Sequence, residues 1–341
     1  MHALITPADR LPVALLTGFL GSGKTTLLNR LLHHPGMART AVVINEYGSI
    51  ALDSLFVERT DGEVTVLTNG CLCCDVQGDL EGVIGTLFAK RDRGEVPAFD
   101  RMVIETTGLA DPAPIMQMLL NQPLIVDNFR LDAVVTTLDA VHGMAQLREQ
   151  AEALKQVALA DRLIITKTDL TGAQQVDELL AACASINPQA VVFRSEAPID
   201  PADLFGVDHT AIRHPSALLQ PVHDHLHDIE TFAIEVATPL AWLPFSRWLT
   251  AFRVAHADAL LRVKGILNVE GESSPVAIHG VHHVFHPPQR LGGWPAGDSR
   301  HSRIVFITRG LPRARVEEAW FAFRSPLAEA PAPVRSSAAS L

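Results

Sequence analysis

A glycine-rich loop near the N-terminus constrains this chain more than any other feature. Residues 18–25 have the sequence Gly-Phe-Leu-Gly-Ser-Gly-Lys-Thr, which fits the pattern G-x-x-x-x-G-K-[ST]. Glycines allow the backbone amides of such a loop to turn inward around phosphate oxygens. A predicted strand precedes the loop and a predicted helix follows it, so the helix directs its positive end at the same anion. The sequence therefore predicts a nucleotide phosphate site here.

Each side chain of the loop has a predicted role. Lys24 is expected to contact the β- and γ-phosphates, and Thr25 to place its hydroxyl on Mg²⁺. Other residues of the loop and of the first helical turn complete the predicted nucleotide-binding set: Gly18, Gly21, Ser22, Gly23 and Thr26.

An acidic residue ends another predicted strand. Glu105 stands there, and Gly108 follows three positions later. A carboxylate at the carboxyl edge of a strand beside the loop can hold Mg²⁺ directly or through water. The alternative is a carboxylate that caps the next helix. We predict Lys24, Thr25, Glu105 and Gly108 as the catalytic residues.

Apolar runs alternate with amphipathic stretches between residue 12 and about residue 195. Several runs are rich in Val and Ile, as strands covered on both faces should be. The predicted strands are Pro12–Thr17, Thr40–Asn45, Val64–Thr68, Arg101–Glu105, Ala133–Leu138, Arg162–Thr166 and Ala190–Phe193. The predicted helices are Gly23–Leu32, Val76–Arg91, Pro112–Leu120, Gly143–Ala160 and Ala173–Ser185. This alternation predicts an α/β fold, a P-loop NTPase domain with a mostly parallel sheet, over residues 1–196.

The pattern changes after residue 196. Residues 197–228 are rich in Pro and His and predict a linker. Residues 229–325 predict a smaller α+β domain, and the Ala-, Pro- and Ser-rich residues 326–341 predict a disordered tail. The strands expected in the second domain are Ile229–Ala237, Ala259–Leu267, Ala277–Phe285 and Arg303–Thr308. Its expected helices are Leu240–Ala257 and Arg313–Arg324.

The charge balance excludes some partners. The formal net charge is −10, and nucleic acids and anionic membranes both require clustered Lys and Arg. No apolar run reaches the roughly 18–20 residues of a membrane span. The N-terminal residues lack the pattern of an export signal, so we expect a cytoplasmic protein.

A second motif indicates which base the nucleotide carries. Residues 166–169 have the form T-K-x-D after a predicted strand, where guanine-binding proteins usually have N-K-x-D. An ionised Asp169 can accept hydrogen bonds from the two adjacent N–H groups of guanine, a pair that adenine lacks. The stem of Lys167 can lie along the base plane. Thr166 replaces the usual Asn, so one polar contact is expected to be lost or rearranged.

Three of the four cysteines are clustered as Cys71, Cys73 and Cys74. Such a cluster in a reducing compartment indicates metal binding more than a disulfide framework. Zinc prefers Cys sulfur in tetrahedral geometry, and three sulfurs leave a position open for a metal that must leave again. The alternatives are buried small side chains and, less favoured by the C-x-C-C spacing, a redox pair.

Alternating histidines mark the end of the predicted linker. His223, His225 and His227 would lie on one side of an extended chain, at a spacing that can share a metal. A solvated polar linker explains the same residues equally well.

These residues together resemble the CobW-like family of P-loop GTPases, whose relatives include nickel chaperones for urease and hydrogenase. The resemblance extends over nearly the whole chain, and the G-C-x-C-C element is highly specific to the family. The matching segments are residues 18–25, 45–48, 69–74, 105–112, 166–169, 280–286 and 303–310.

The resemblance implies slow GTP hydrolysis that depends on Mg²⁺. It also implies binding of Zn²⁺ or Co²⁺ at the C-x-C-C motif and a role in metal trafficking. By the same resemblance, Glu46 and Asp53 lie in the segment that senses the γ-phosphate. Glu46 would add to the transition-metal ligands and Asp53 to the Mg²⁺ site. Tyr47 stands where Phe is more usual, a minor departure.

We therefore expect a metallochaperone that binds GTP, Mg²⁺ and Zn²⁺ and delivers metal to a client metalloprotein. A non-catalytic zinc buffer, a GTPase component of cobalamin assembly and a small-molecule kinase are the alternatives. The kinase is the least favoured, because kinases need neither a guanine-reading K-x-D nor C-x-C-C. The sequence identifies no client and leaves a homo-oligomer open.

Overall fold

The structure is a computed structural model that describes residues 10–45, 80–206, 228–295 and 297–324. It also describes the backbone of two further strands, Leu55–Thr60 (β3) and Glu63–Thr68 (β4). Among these residues, no helix combines the length and the apolar character that crossing a bilayer would require.

The first domain is built on an eight-stranded sheet with the order β4-β3-β2-β5-β1-β6-β7-β8. Six neighbouring strands run parallel, whereas β3 and β4 form an antiparallel extension beyond β2. The parallel strands are Leu11–Gly18 (β1), Thr40–Asn45 (β2), Arg101–Thr106 (β5), Phe129–Asp139 (β6), Arg162–Thr166 (β7) and Val191–Arg194 (β8). The predicted mostly parallel α/β sheet is confirmed, and β3 is an addition to it.

Helices cover both faces of this sheet. Alternate residues of β1 contact opposite layers: Val13 and Leu15 pack in one core with Met116, while Ala14 packs in another with Leu28. The helices are Lys24–Leu32 (α1), Leu80–Asp92 (α2), Ala113–Asn121 (α3), Pro123–Val126 (α4), Gly143–Glu149 (α5), Ala151–Leu159 (α6), Ala173–Ile186 (α7) and Pro201–Leu204 (α8).

Two local features differ from the sequence prediction. The single helix expected over residues 143–160 is divided, because Gln150 adopts an extended conformation between α5 and α6. Part of the predicted linker is helical: α8 lies within it, and Ile199, Leu204 and Phe205 are buried against the layer that contains α1.

The second domain is an antiparallel sheet with the order β12-β11-β10-β14-β9, to which β13 adds beside β11. Its strands are Ile229–Val236 (β9), Leu260–Leu267 (β10), Val276–Val281 (β11), Val284–Phe285 (β12), Gln289–Arg290 (β13) and Ser302–Arg309 (β14). Two helices, Trp242–Ala255 (α9) and Arg313–Arg324 (α10), pack on it through Phe245 and Trp320. The predicted α+β class is confirmed. The strand expected over residues 277–285 is instead a hairpin, because His282 has a φ of 51° and turns the chain.

The two domains meet where β10 contacts α6 and the start of β7. Arg262 is 2% exposed, and its guanidinium donates to the carbonyls of Leu159 and Ala160 and pairs with Asp161. Lys264 reaches the same carboxylate at 3.0 Å. Burial lowers the pKa of Lys264 to about 8, with further lowering by Arg262 and an opposing effect of Asp161.

Candidate nucleotide site

The phosphate loop connects β1 to α1 and depends on its glycines. Gly23, at the start of α1, has a φ of 91°, a left-handed conformation that residues with a Cβ rarely adopt. Gly18 has a φ of 143°, and a Cβ there would lie 2.3 Å from the Thr137 hydroxyl of β6. The Ser22 hydroxyl bonds to that same Thr137 hydroxyl at 2.7 Å. The loop is therefore shaped by its own backbone and by close contact with β6.

Lys24 folds back over this loop. Its Nζ donates to the carbonyl of Gly18 at 2.8 Å and to that of Phe19 at 3.3 Å. The side chain is buried, with 9% of its surface exposed. These contacts keep the ammonium group at the loop, where an anionic phosphate would meet it.

Thr25 and Glu105 are brought together as the sequence predicted. The Thr25 hydroxyl donates to Glu105 Oε1 at 2.7 Å. Glu105 is buried near the end of β5, and β5 pairs with β1 so that Leu16 lies opposite Glu105. A hydroxyl and a carboxylate are hard oxygen donors of the type that Mg²⁺ prefers. The donor set therefore fits a magnesium ion, which Thr25 and Glu105 would help to hold.

Gly108 lies directly against the phosphate loop. A Cβ at this position would lie 2.6 Å from the backbone nitrogen of Leu20 and 2.7 Å from its Cα. The obstacle is backbone, which cannot swing aside as a flexible side chain can. Only glycine therefore lets residues 107–111 approach the phosphate loop this closely.

Two residues of α6 hold residues 108–111, and the sequence analysis did not identify them. Gln156 Nε2 donates to the carbonyl of Ala110 at 3.0 Å and to that of Gly108 at 3.4 Å. Lys155 Nζ pairs with Asp111 Oδ2 at 2.6 Å. A fully buried glutamine on an otherwise apolar helix face is the signal that could have indicated Gln156.

The T-K-x-D motif begins at the last residue of β7. Lys167 adopts a left-handed conformation with a φ of 57°. Its Nζ pairs with Asp139 Oδ2 at 2.6 Å, while Asp139 Oδ1 accepts from the backbone N–H of Val141 at 2.8 Å. Asp169 is exposed, as a residue that must contact a base should be. Asp139 was missed by sequence reasoning, although its place at the end of a parallel strand was a signal.

Thr166, at the position where Asn is usual, contacts the phosphate loop. Its hydroxyl donates to the backbone carbonyl of Ser22 at 2.8 Å and reaches that of Leu138 at 3.3 Å. The Thr166 side chain thus bonds to the phosphate loop, and the loss or rearrangement of a polar contact to the base stays a prediction.

The transition-metal candidates lie outside the described residues. They are Cys71, Cys73, Cys74 and Glu46, together with the histidines His223, His225 and His227; the Mg²⁺ candidate Asp53 lies outside as well. In the part of the chain that the structure describes, no three His, Cys, Asp or Glu side chains are placed to share a metal ion. Cys183 is buried, and burial raises its thiol pKa to about 12, so it is not available as a thiolate ligand.

Comparison with known protein families agrees with this geometry over both domains. The sequence model of the CobW/HypB/UreG nucleotide-binding domain matches residues 12–194. The model of the cobalamin synthesis protein cobW C-terminal domain matches residues 229–324. The chain belongs to the CobW/HypB/UreG family. The resemblance drawn from the motifs is therefore confirmed.

Curated CobW-type relatives match along nearly their full length. The zinc chaperone YjiA of Escherichia coli K12 is 34% identical over 320 residues, covering 92% of this chain and 98% of YjiA. The zinc chaperone CobW of Pseudomonas aeruginosa is 31% identical, covering 90% of each chain.

Solved structures of YjiA show the same architecture. The Zn(II)-bound YjiA GTPase from E. coli superposes with a TM-score of 0.73 at 33% identity, covering 92% of this chain and 99% of that structure. A YjiA variant in which one glutamate and two cysteines are replaced by alanine is also described as Zn(II)-bound, with a TM-score of 0.74 at 32% identity and the same coverage.

Proposed function

We propose that this protein is a GTP-hydrolysing metallochaperone that binds zinc and releases it to a client metalloprotein when the nucleotide state changes. One observation carries the proposal. Strands β1, β5 and β7 end at the same edge of the sheet and bring the phosphate loop, Glu105 and the T-K-x-D motif together. The names of the zinc-chaperone relatives support the choice of metal.

The residues of the site divide the chemistry of phosphoryl transfer between them. Lys24 and the loop amides would bind the phosphates, and Thr25 with Glu105 would hold Mg²⁺, which would supply positive charge to the phosphate oxygens. The close packing of Gly108 on the phosphate loop supports a role of its backbone in sensing the γ-phosphate. The Asp169 carboxylate would accept hydrogen bonds from the two adjacent N–H groups of guanine, and Lys167, oriented by Asp139, would cover the base.

Zinc is the cargo in this proposal. Thiolates of Cys71, Cys73 and Cys74 with the carboxylate of Glu46 would supply its ligands. These residues lie in the chain between the phosphate loop and Glu105. The segment around Glu46 and Asp53, which is expected to sense the γ-phosphate, precedes the cysteines in the chain. Ordering of that segment by GTP, and its release after hydrolysis, would change the affinity of the cysteine cluster for zinc.

The test is zinc affinity, measured by competition with a chromophoric chelator. It is measured with a non-hydrolysable GTP analogue plus Mg²⁺ and again with GDP. We expect different affinities in the two states, and we expect Cys73→Ala and Cys74→Ala to abolish the difference. The matched control is Cys183→Ala, because Cys183 is buried with a thiol pKa of about 12 and should leave the difference intact.

The assay has to distinguish zinc bound at the cysteine cluster from zinc bound at other sites. The YjiA variant without one glutamate and two cysteines is still Zn(II)-bound, so sites beyond a cysteine cluster exist in that relative. A His223→Ala, His225→Ala, His227→Ala triple variant isolates the contribution of the histidines. Equal zinc affinity in both nucleotide states, or zinc binding without any GTP turnover, would contradict the proposal and favour a zinc buffer.

A further inference from the structure

We propose that Gln156 is a positioning residue for the γ-phosphate loop, residues 107–111. This inference rests on the proposed GTPase function and adds a residue that no sequence motif contains. Gln156 lies on α6, beside the nucleotide site, and it acts through the backbone of Gly108 and its neighbours.

The contacts of α6 with the loop are specific and close. Gln156 is 1% exposed, and its Nε2 donates to the carbonyls of Gly108 and Ala110, the two residues that flank Leu109. The preceding residue, Lys155, pairs with Asp111 at 2.6 Å. Two consecutive side chains of one helix therefore hold both halves of the segment 108–111.

The surroundings of Gln156 argue against a mere packing role. Apart from Lys155, the residues nearest to it on α6 are small or apolar and buried: Ala153, Leu154, Val157 and Ala158. A leucine would fill this position without the desolvation that a buried amide requires. The polar side chain is explained by the two carbonyls that it binds.

The side-chain carbonyl of Gln156 adds a second observation. Its Oε1 is buried and accepts no hydrogen bond from the described residues. A buried amide with an unused acceptor is unfavourable unless another arrangement uses it. Rearrangement of the γ-phosphate loop on GTP binding would bring loop N–H groups within reach of this oxygen. Gln156 then has partners in both nucleotide states.

The C-terminal end of α6, directly after Gln156, is fixed, which allows the helix to act as a support. Asn187 Nδ2 donates to the carbonyls of Val157 at 2.9 Å and Ala160 at 2.8 Å. Arg262 of the second domain donates to the carbonyls of Leu159 and Ala160. The last carbonyls of the helix, which lack partners within it, are thus bound by side chains from elsewhere. The γ-phosphate loop is therefore held by a helix whose end is anchored to the second domain.

The experiment compares nucleotide affinities and turnover in the full-length protein. Gln156→Leu keeps the size of the side chain and removes both donors. We expect kcat for GTP to fall at least tenfold. We also expect the affinity for a non-hydrolysable GTP analogue to fall at least fivefold, while the affinity for fluorescent GDP stays within about twofold. A purely structural role would weaken both nucleotides equally.

The matched control is Gln146→Leu on α5. Gln146 is another helical glutamine with a buried carbonyl oxygen that lacks a partner among the described residues, and no hydrogen bond of its side chain reaches the γ-phosphate loop. We expect this variant to match the wild type in kcat and in the ratio of analogue to GDP affinity. The contrast between the two variants separates loop positioning from the removal of a buried amide.

A second variant protects the test against a folding defect in Gln156→Leu. Lys155→Met breaks the pair with Asp111 at a position that is 28% exposed and should fold normally. We expect a smaller shift in the same direction. Unchanged kinetics in both variants, or an equal loss of GDP and analogue affinity, would overturn the inference. A wild-type protein without GTP turnover would instead overturn the proposed function.

Discussion

The hydroxyl of Thr166 donates a hydrogen bond to the backbone carbonyl of Ser22 at 2.8 Å, across 144 positions of the chain. This bond joins the T-K-x-D motif to the phosphate loop. The Thr166 methyl also faces the loop, because a Cβ built on Gly23 would lie 3.5 Å from Thr166 Cγ2. A threonine in place of the usual asparagine thus supports the loop through one hydrogen bond and one apolar contact.

Thr166→Val should weaken GTP and GDP binding together. The variant keeps the shape and removes the hydroxyl, so one buried hydrogen bond worth about 0.5–1.5 kcal/mol is lost. We expect a fall in affinity of roughly two- to tenfold for both nucleotides, measured by fluorescent-nucleotide titration. Thr166→Ser should retain most of the affinity, and Thr171→Val, which removes only a solvent-exposed hydrogen bond to Gln175, should retain all of it. Wild-type affinity in Thr166→Val would show that the bond is dispensable.

Asp139→Asn should reduce the preference for guanine nucleotides. The asparagine can still accept from the N–H of Val141, but it removes the negative charge that holds Lys167 at 2.6 Å. Hydrogen bonds to charged groups contribute about 1.5–3 kcal/mol, so we expect at least tenfold weaker GDP binding. The preference for guanine is measured as the ratio of the GTP and ATP affinities in a competition titration. Asp177→Asn is the control, because Asp177 is 72% exposed and its ion pair with Arg194 is long, at 3.6 Å. Equal effects of the two variants would refute the role of Asp139.

Gly108→Ala should impair GTP hydrolysis more than it impairs GDP binding. The new Cβ would meet the backbone of Leu20 at 2.6 Å, so the γ-phosphate loop must move away from the phosphate loop. We expect kcat to fall at least tenfold in a steady-state phosphate-release assay. Gly85→Ala on α2 is the control, because its Cβ meets nothing within 4 Å and alanine favours a helix. Unaltered turnover in Gly108→Ala would mean that the loop tolerates displacement.

Lys264 should make the stability of the protein rise with pH. Burial lowers its pKa to about 8, whereas an unfolded lysine titrates at about 10.4. Between these values the unfolded chain binds a proton that the folded chain has released, so the free energy of unfolding increases with pH. Its contribution is complete above about pH 10.4 and is lost as the pH falls through 8.

Urea unfolding of wild type and Lys264→Met at pH 7 and pH 9.5 measures this contribution. The difference in unfolding free energy between the two proteins should shift in favour of the wild type at the higher pH, by roughly 2 kcal/mol. The buried pair of Arg262 and Asp161 is present in both proteins, so it does not produce the shift. A difference that is independent of pH would show that Lys264 keeps an ordinary pKa in the folded state.

Local patterns predicted most elements of the fold but not their breaks. The helical pattern over residues 143–160 continues through Gln150, yet the chain is extended there and separates α5 from α6. The alternating pattern over residues 277–285 likewise does not reveal the turn at His282. Strand β3 was not predicted from the sequence; it pairs with β4, so its formation depends on a neighbour in the sheet.

The sequence by itself determined the phosphate loop, the T-K-x-D motif and the carboxylate at the end of β5. Each is a short pattern whose chemistry requires particular residue types at fixed spacing. The same reasoning leaves the cysteine cluster with Glu46 as a prediction. It also leaves the zinc-dependent function as a proposal that the chelator experiment addresses.

Only the tertiary structure decided which side chains support these motifs. Lys167 pairs with Asp139 from 28 positions away, and Gln156 binds Gly108 from 48 positions away. No local periodicity records such partners. They meet because parallel strands end at one edge of the sheet and because the helix that packs beside them projects its buried amide toward the same loop. The motifs thus follow from local sequence, whereas their positioning follows from the way the sheet and helices pack.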